Sequence, residues 1–145
     1  MITFQNTSKF KVKDLRKKKI WLNNISKNEG KEIENLNFLF VDDKEILEYN
    51  KKYLQHESYT DIITFDNSLN NKIAGDIVIS LERVNENAKY YQVSYNYELE
   101  RYDRLVALGI SDTEQLKKLY EKQIELTSEL AMASVRDTND IKGGA

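Results

Sequence analysis

Two apolar runs separated by a polar turn form the clearest pattern in the chain. They read TDIITF at residues 60–65 and GDIVIS at residues 75–80. Isoleucine, valine, threonine and phenylalanine favour strands, and the asparagines and serine between the runs are typical turn residues. The pattern predicts a β-hairpin from Thr60 to Ile79.

Apolar spacing elsewhere predicts further strands and several helices. The strands are expected at Met1–Gln5 and Leu36–Val41. The first helix is expected at Lys11–Lys27, and the second from a capping box at Asp42 and Glu45 to Leu54. The third and fourth are expected from Ser80 to about Gln92 and from Ser94 to Gly109. The fifth is expected from a capping box at Asp112 to about Met132. This order predicts an α/β (α+β) fold, with a small mixed β-sheet of about four strands packed by helices. We expect residues 1–133 to form one domain and residues 134–145 to be a disordered tail.

The composition is that of an ordinary globular domain. The chain has 145 residues, a formal net charge of −2 and a mean hydropathy of −0.66. It has no Cys, which excludes disulfides and cysteine-ligated metals, and it has a single His. No apolar run approaches the roughly 20 residues of a membrane span, and the first residues lack the apolar stretch of a signal peptide. We therefore expect a cytoplasmic protein with no membrane partner.

Three short motifs, in order, resemble the YbeY family of rRNA maturation endoribonucleases. The two strand runs match the family's T-D-[IV]-[IL]-[ST]-F and G-D-I-x-[IV]-S motifs, and residues 98–101 read ELER where the family has E-L-x-R. The resemblance extends over residues 35–101 and recurs in TEQLKKLYEKQ at residues 113–123. It implies a YbeY-like fold and a zinc-dependent, single-strand-specific endoribonuclease. It also implies rRNA of the small ribosomal subunit as the partner.

The family's histidine ligands are absent from the matching positions. In the family, E-L-x-R leads into H-G-x-L-H-L-x-G-Y-x-[DH], whose two histidines and third ligand hold zinc, whereas residues 100–115 here read ERYDRLVALGISDTEQ. Two alignments place the family's two histidines on this chain. Counting forward from the ELER motif puts them at Leu105 and Gly109. Counting back from residues 109–112, which resemble the family's G-Y-x-D, puts them at Tyr102 and Val106. Asp112 remains as a candidate metal ligand. We therefore expect this chain not to bind the zinc that the resemblance implies, and its family activity to be impaired.

Two other groups of polar residues could carry chemistry, and each also has a structural interpretation. Five aspartates flank the predicted strand ends, at Asp42, Asp43, Asp61, Asp66 and Asp76. Carboxylates suit Mg²⁺, but at such positions they commonly accept hydrogen bonds from free backbone N–H groups, and we favour that role. His56 could act as a general base, although a solvated loop histidine is the favoured interpretation. No residue is assigned a catalytic role.

A lysine-rich segment is the candidate RNA-binding feature. Seven cations fall between Lys9 and Lys19, with Asp14 as the one acid among them. Such density can neutralise several phosphates, although a solvated helix face is the alternative. The residues predicted to contact RNA are Lys11, Lys13, Arg16, Lys17, Lys18 and Lys19.

Three functional hypotheses follow from these patterns. The first is a YbeY-like rRNA maturation factor whose endoribonuclease activity is impaired. The second is a catalytically inactive protein that binds RNA or the ribosome. The third is a scaffold without native function, in which the segment from Tyr102 was altered by frameshift, recombination or design.

Overall fold

A computed structural model of the protein describes residues 1–55 and 60–109, which form one mixed sheet and the helices that pack on it. The strands are β1 (Ile2–Asn6), β2 (Glu32–Val41), β3 (Ile62–Asp66) and β4 (Lys72–Ser80). The helices are α1 (Leu15–Asn28), α2 (Asp43–Leu54), α3 (Leu81–Tyr91) and α4 (Tyr95–Ala107). The predicted α/β class, with a small mixed sheet packed by helices, is confirmed. None of the helices in the described ranges has the length and apolarity needed to span a membrane.

The strand order of the sheet is β1-β2-β4-β3. The β1–β2 and β2–β4 pairs are parallel, whereas β3 runs antiparallel to β4. The carboxyl ends of β1, β2 and β4 therefore lie at the same edge of the sheet as the amino end of β3. The chain segments that leave or enter the sheet at this edge carry a cluster of polar residues.

Helices cover the two faces of the sheet unequally. The larger core joins one face to α1, α3 and α4, through side chains such as Leu22, Phe38, Leu81 and Leu99. The smaller core joins the other face to α2, and its buried members are Val41, Ile46, Ile63 and Val78. Alternate strand residues point to opposite faces, so both cores draw on the same strands. Because α2 is the one described helix on the second face, part of that face stays open.

The predicted hairpin is confirmed as the β3–β4 pair. Glycine is required at position 75 of this pair, because a Cβ there would lie 2.3 Å from the backbone oxygen of Phe65. The predicted caps of α3 and α4 are also confirmed: the Ser80 hydroxyl accepts from the Arg83 N–H at 3.2 Å and the Ser94 hydroxyl accepts from the Tyr97 N–H at 3.1 Å. These side chains satisfy N–H groups that have no partner within the helix.

Two local predictions are wrong. The Asp42 side chain does not cap α2; it accepts instead from the Ser8 hydroxyl at 2.5 Å and the Lys9 N–H at 3.0 Å. Helix α1 begins at Leu15 rather than Lys11, because Asp14 has a left-handed backbone conformation (φ 54°, ψ 48°) that a right-handed helix cannot contain. Residues 11–14 belong to neither a helix nor a strand.

Some predictions concern residues outside the described ranges. These are the loop position of His56, the candidate ligand Asp112, the helix from Thr113 to Met132 and the tail at residues 134–145. The single domain at residues 1–133 stays a prediction for the same reason.

Candidate active site at the carboxyl edge of the sheet

Polar residues from four chain segments converge at the carboxyl edge of the sheet. Ser8 and Lys9 follow β1, Asp43 follows β2, Glu82 follows β4, and Asp61 precedes β3. In open α/β sheets this edge is where ligands bind, because the strand ends and helix starts leave polar groups and space there. We therefore take it as the candidate active site.

A partly buried hydrogen-bonded triad connects the residue before β3 to α3 and α4. The Tyr102 hydroxyl donates to Asp61 Oδ2 at 2.6 Å, and Asn87 Nδ2 lies 3.3 Å from both Asp61 Oδ2 and the Tyr102 oxygen. Tyr102 is completely buried. Burial and the neighbouring Asp61 carboxylate raise the pKa of Tyr102 well above its usual value of 10, so the hydroxyl remains a donor. The triad fixes the start of β3 against α4.

A second network joins the start of α2 to the start of α3. Asp43 accepts from Arg83 Nη2 at 2.5 Å and from the Ser80 hydroxyl at 2.8 Å. Glu82 accepts from the Asp43 N–H at 3.1 Å and pairs with the Lys9 ammonium at 2.6 Å. The hydrogen bond from Lys9 lowers the pKa of Glu82. Each carboxylate of this network is thus held by a nearby cation.

The five aspartates considered as Mg²⁺ ligands have mostly structural partners. Asp42, Asp43 and Asp61 accept protein hydrogen bonds as described, and Asp66 accepts from the Ser68 N–H at 2.9 Å. Asp76 lies apart, on the open face of the sheet. Within residues 1–55 and 60–109, no three His, Cys, Asp or Glu side chains are close enough to hold a metal ion. The structural interpretation of this set is therefore the better one.

The α4 positions that match the family's histidines do not fit a zinc site. The Tyr102 hydroxyl is engaged with Asp61, Leu105 and Val106 are buried in the larger core, and Gly109 ends the helix with a φ of +89°. Aliphatic side chains have no lone pairs, and a protonated tyrosine is a poor zinc ligand. In the described part of the chain, neither alignment therefore supplies the nitrogen donors that zinc requires.

Two charged residues of the ELER motif are buried beside the triad. Glu98 is completely buried, and burial raises the pKa of its carboxyl to about 7, partly opposed by Arg101. The Arg101 guanidinium lies over the Tyr97 ring at 4.7 Å from its centre. The sequence marked Glu98 through the motif but gave no sign of its burial or raised pKa. Asn87 was missed because its role depends on a contact between α3 and α4.

The six cations predicted to contact RNA fall into two groups. Five of them are exposed, at Lys11, Lys13, Arg16, Lys17 and Lys19. Lys18 is instead buried and forms an ion pair with the buried Asp103 carboxylate of α4. The prediction that Lys18 contacts RNA therefore needs correction, because its ammonium is held inside the protein.

The five exposed cations Lys11, Lys13, Arg16, Lys17 and Lys19 form a basic surface. The structure adds residues to this basic surface that the sequence did not indicate. A groove of about 280 Å³ runs between α1 and α4, and Lys13, Lys17, Trp21 and Arg104 line it. The Arg104 guanidinium lies 5.5 Å from the centre of the Trp21 ring. Arg104 is distant from the lysine run in sequence, so only the packing of α4 against α1 brings it there.

Comparisons with known proteins agree with this architecture. The family model described as Endoribonuclease YbeY matches residues 2–110. The Endoribonuclease YbeY of Parabacteroides distasonis is 46% identical over 81 residues, which are 56% of this chain and 57% of that protein. The Endoribonuclease YbeY of Bacteroides thetaiotaomicron is 38% identical over 102 residues, or 69% and 74% of the two chains.

One further curated relative and one solved structure extend over nearly the whole chain. The Endoribonuclease YbeY of Cytophaga hutchinsonii is 36% identical over 137 residues, covering 92% of this chain and 93% of that protein. The solution structure of TM1509 from Thermotoga maritima superposes with a TM-score of 0.58 over 92% of this chain and 93% of its own, at 22% identity. This structural match supports the fold.

Proposed function

Because this chain belongs to the Endoribonuclease YbeY family, we propose that it is a maturation factor for rRNA of the small ribosomal subunit that binds the RNA but is impaired in zinc-dependent cleavage. The family relationship supports a function on RNA. The cytoplasmic location expected from the sequence is part of the same proposal.

The observation that carries the impaired activity is the chemistry of α4 at the matching positions. Zinc in a hydrolytic site is held by three protein ligands and makes a bound water acidic enough to attack at neutral pH. Tyr102 instead donates a hydrogen bond to Asp61, and Leu105 and Val106 pack in the larger core. These residues stabilise the helix contacts, but they leave a metal without imidazole ligands.

The basic surface supports the RNA-binding part of the proposal. Lys13, Lys17 and Arg104 line the groove between α1 and α4 together with Asp14 and Glu100, and the exposed cations attract phosphates. Trp21 provides an aromatic ring on which an unpaired base can stack. Lys18 contributes indirectly, since its ion pair with Asp103 fastens α1 to α4.

The test is to measure metal content, cleavage and binding on the same preparation. We expect elemental analysis of protein purified without chelator to give far less than one zinc per chain. We also expect no cleavage of single-stranded RNA when Zn²⁺ is added, together with salt-dependent RNA binding. Stoichiometric zinc with robust cleavage would overturn the impaired-activity proposal, and a lack of RNA binding at low salt would overturn the binding proposal.

A further inference from the structure

The open part of the second sheet face forms a groove lined by strands and by α2. Its volume is about 580 Å³, and it lies between the exposed side of β1, β2 and β4 and the side of α2. Neither the polar networks at the carboxyl edge nor the basic groove between α1 and α4 shares a lining residue with it. It is therefore a separate candidate binding site.

One wall of this groove is aromatic. The Tyr49 and Tyr53 rings of α2 stack with centres 5.8 Å apart, and Tyr53 meets Phe65 edge to face at 5.5 Å. Tyr53 is 51% exposed, so part of its ring lies at the protein surface. The Lys52 ammonium lies 5.2 Å from the centre of the Tyr53 ring. The cation thus lies over the ring, and a base can stack on Tyr53 once this exposed lysine side chain moves aside.

The floor of the groove carries a row of polar side chains across three strands. Thr3, Asn37 and Asp76 are direct partners in the register of β1, β2 and β4. The Thr3 hydroxyl donates to Asn37 Oδ1, and Asn37 Nδ2 donates to Asp76 Oδ1 at 2.9 Å. These bonds fix the Asp76 carboxylate, whose Oδ2 accepts no hydrogen bond from the described residues. A hydrogen-bonded acceptor therefore lines the groove beside Phe65, its direct partner on β3.

We propose that this groove binds an unpaired nucleobase that carries an exocyclic amino group, as part of a single RNA strand. The base stacks on Tyr53, its amino hydrogens are donated to Asp76, and the adjoining phosphate meets Lys52. Uracil is disfavoured, because it would turn a carbonyl oxygen toward the carboxylate where cytosine turns an amino group. The identity of the polymer as RNA rests on the proposed function, whereas the preference among bases rests on the groove.

The experiment compares the hexanucleotides rC6 and rU6, which have the same size and charge. Binding is followed by nitrogen-15 NMR at moderately high salt, which weakens contacts made by charge alone. We expect rC6 to bind at least roughly fivefold more tightly than rU6 and to shift the signals of Asn37, Tyr53 and Val78. Equal affinities, or shifts confined to α1 and α4, would overturn the proposal.

Three variants assign the effect to the groove. Tyr53→Ala should weaken rC6 binding roughly fivefold or more, and Asp76→Asn should remove most of the preference for rC6 over rU6. Tyr90→Ala is the matched control, because Tyr90 is 80% exposed on α3, away from the groove. An unchanged rC6 affinity in Tyr53→Ala would reject the groove as the site.

A fourth variant separates this proposal from the proposed function. Replacing Lys13, Lys17 and Lys19 with Gln removes cations of the basic surface and leaves the groove on the second sheet face intact. If this variant loses all binding while Tyr53→Ala loses none, the groove proposal fails and RNA binding by the basic surface stands. If the parent protein binds neither hexanucleotide at low salt, both proposals fail.

Discussion

The hydrogen bond from Tyr102 to Asp61 holds the start of β3 against α4. We expect Tyr102→Phe to lower the free energy of unfolding by about 1–3 kcal/mol, because Asp61 would keep only the longer contact with Asn87. Urea denaturation measures this change. Tyr90→Phe, at an 80% exposed position, is the control and should leave the midpoint unchanged. A Tyr102→Phe midpoint equal to that of the parent would show that the bond contributes nothing net.

Glu98 should make the stability depend on pH near neutrality. Burial raises the pKa of Glu98 in the folded protein to about 7, above its ordinary value of 4.5. The folded state therefore binds more protons than the unfolded state between these values, so this contribution is fully present below pH 4.5 and is lost as the pH rises to 7. At about 1.4 kcal/mol per unit, the loss is at most about 3.5 kcal/mol.

The variant Glu98→Gln tests whether Glu98 makes the protein less stable as the pH rises. We expect its free energy of unfolding to change less between pH 5 and 8 than that of the parent, as measured by urea denaturation across the range. Glu100→Gln is the control, because Glu100 is exposed on the same helix. Parallel pH profiles for the parent and Glu98→Gln would contradict a raised pKa.

The helix contacts show which parts of the structure the sequence could predict. The hairpin and the caps at Ser80 and Ser94 were predicted correctly, because turn residues and helix caps act within a few positions. The role of Lys18 was not, because its partner Asp103 is distant in sequence and only the packing of α1 on α4 joins them. The sequence alone shows that the family's histidines are absent from α4, but only the fold shows that Tyr102 donates a hydrogen bond to Asp61.

The Lys18–Asp103 pair fixes α1 against α4, and its two charges are both buried. We expect Asp103→Ala to cost about 3–5 kcal/mol in unfolding free energy, because it leaves an ammonium buried without its partner. Lys18→Met combined with Asp103→Leu should recover most of that loss, since two apolar groups need no compensation. The exposed Glu86–Lys89 pair is the control, and Glu86→Ala should cost less than about 1 kcal/mol. A double variant no more stable than Asp103→Ala would contradict this account.

The charge of the basic surface should govern how RNA binding responds to salt. Replacing Lys13, Lys17 and Lys19 with Gln should reduce the slope of log K against log salt by up to about 2, at roughly 0.7 per phosphate contact on a single strand. Fluorescence anisotropy of a labelled single-stranded RNA measures the slope. The control variant replaces exposed lysines of other elements, at Lys44, Lys72 and Lys89. Equal slopes for the two triple variants would mean that RNA is not held mainly by the surface of α1.

If lost ligands are the main defect of the molecule, returning them should restore a metal site. Tyr102→His with Val106→His places two imidazoles one turn apart on the same face of α4, near Asp61. We expect this double variant to retain more zinc after dialysis than the parent, and zinc to raise its melting temperature. Tyr102→His with Arg104→His is the control, because position 104 is exposed and points away from position 102. Equal zinc retention by both variants would reject the alignment that places the ligands at 102 and 106. Zinc retention with cleavage of single-stranded RNA would show that the scaffold kept the rest of an endoribonuclease site, whereas retention without cleavage would leave RNA binding as the function that this chain still performs.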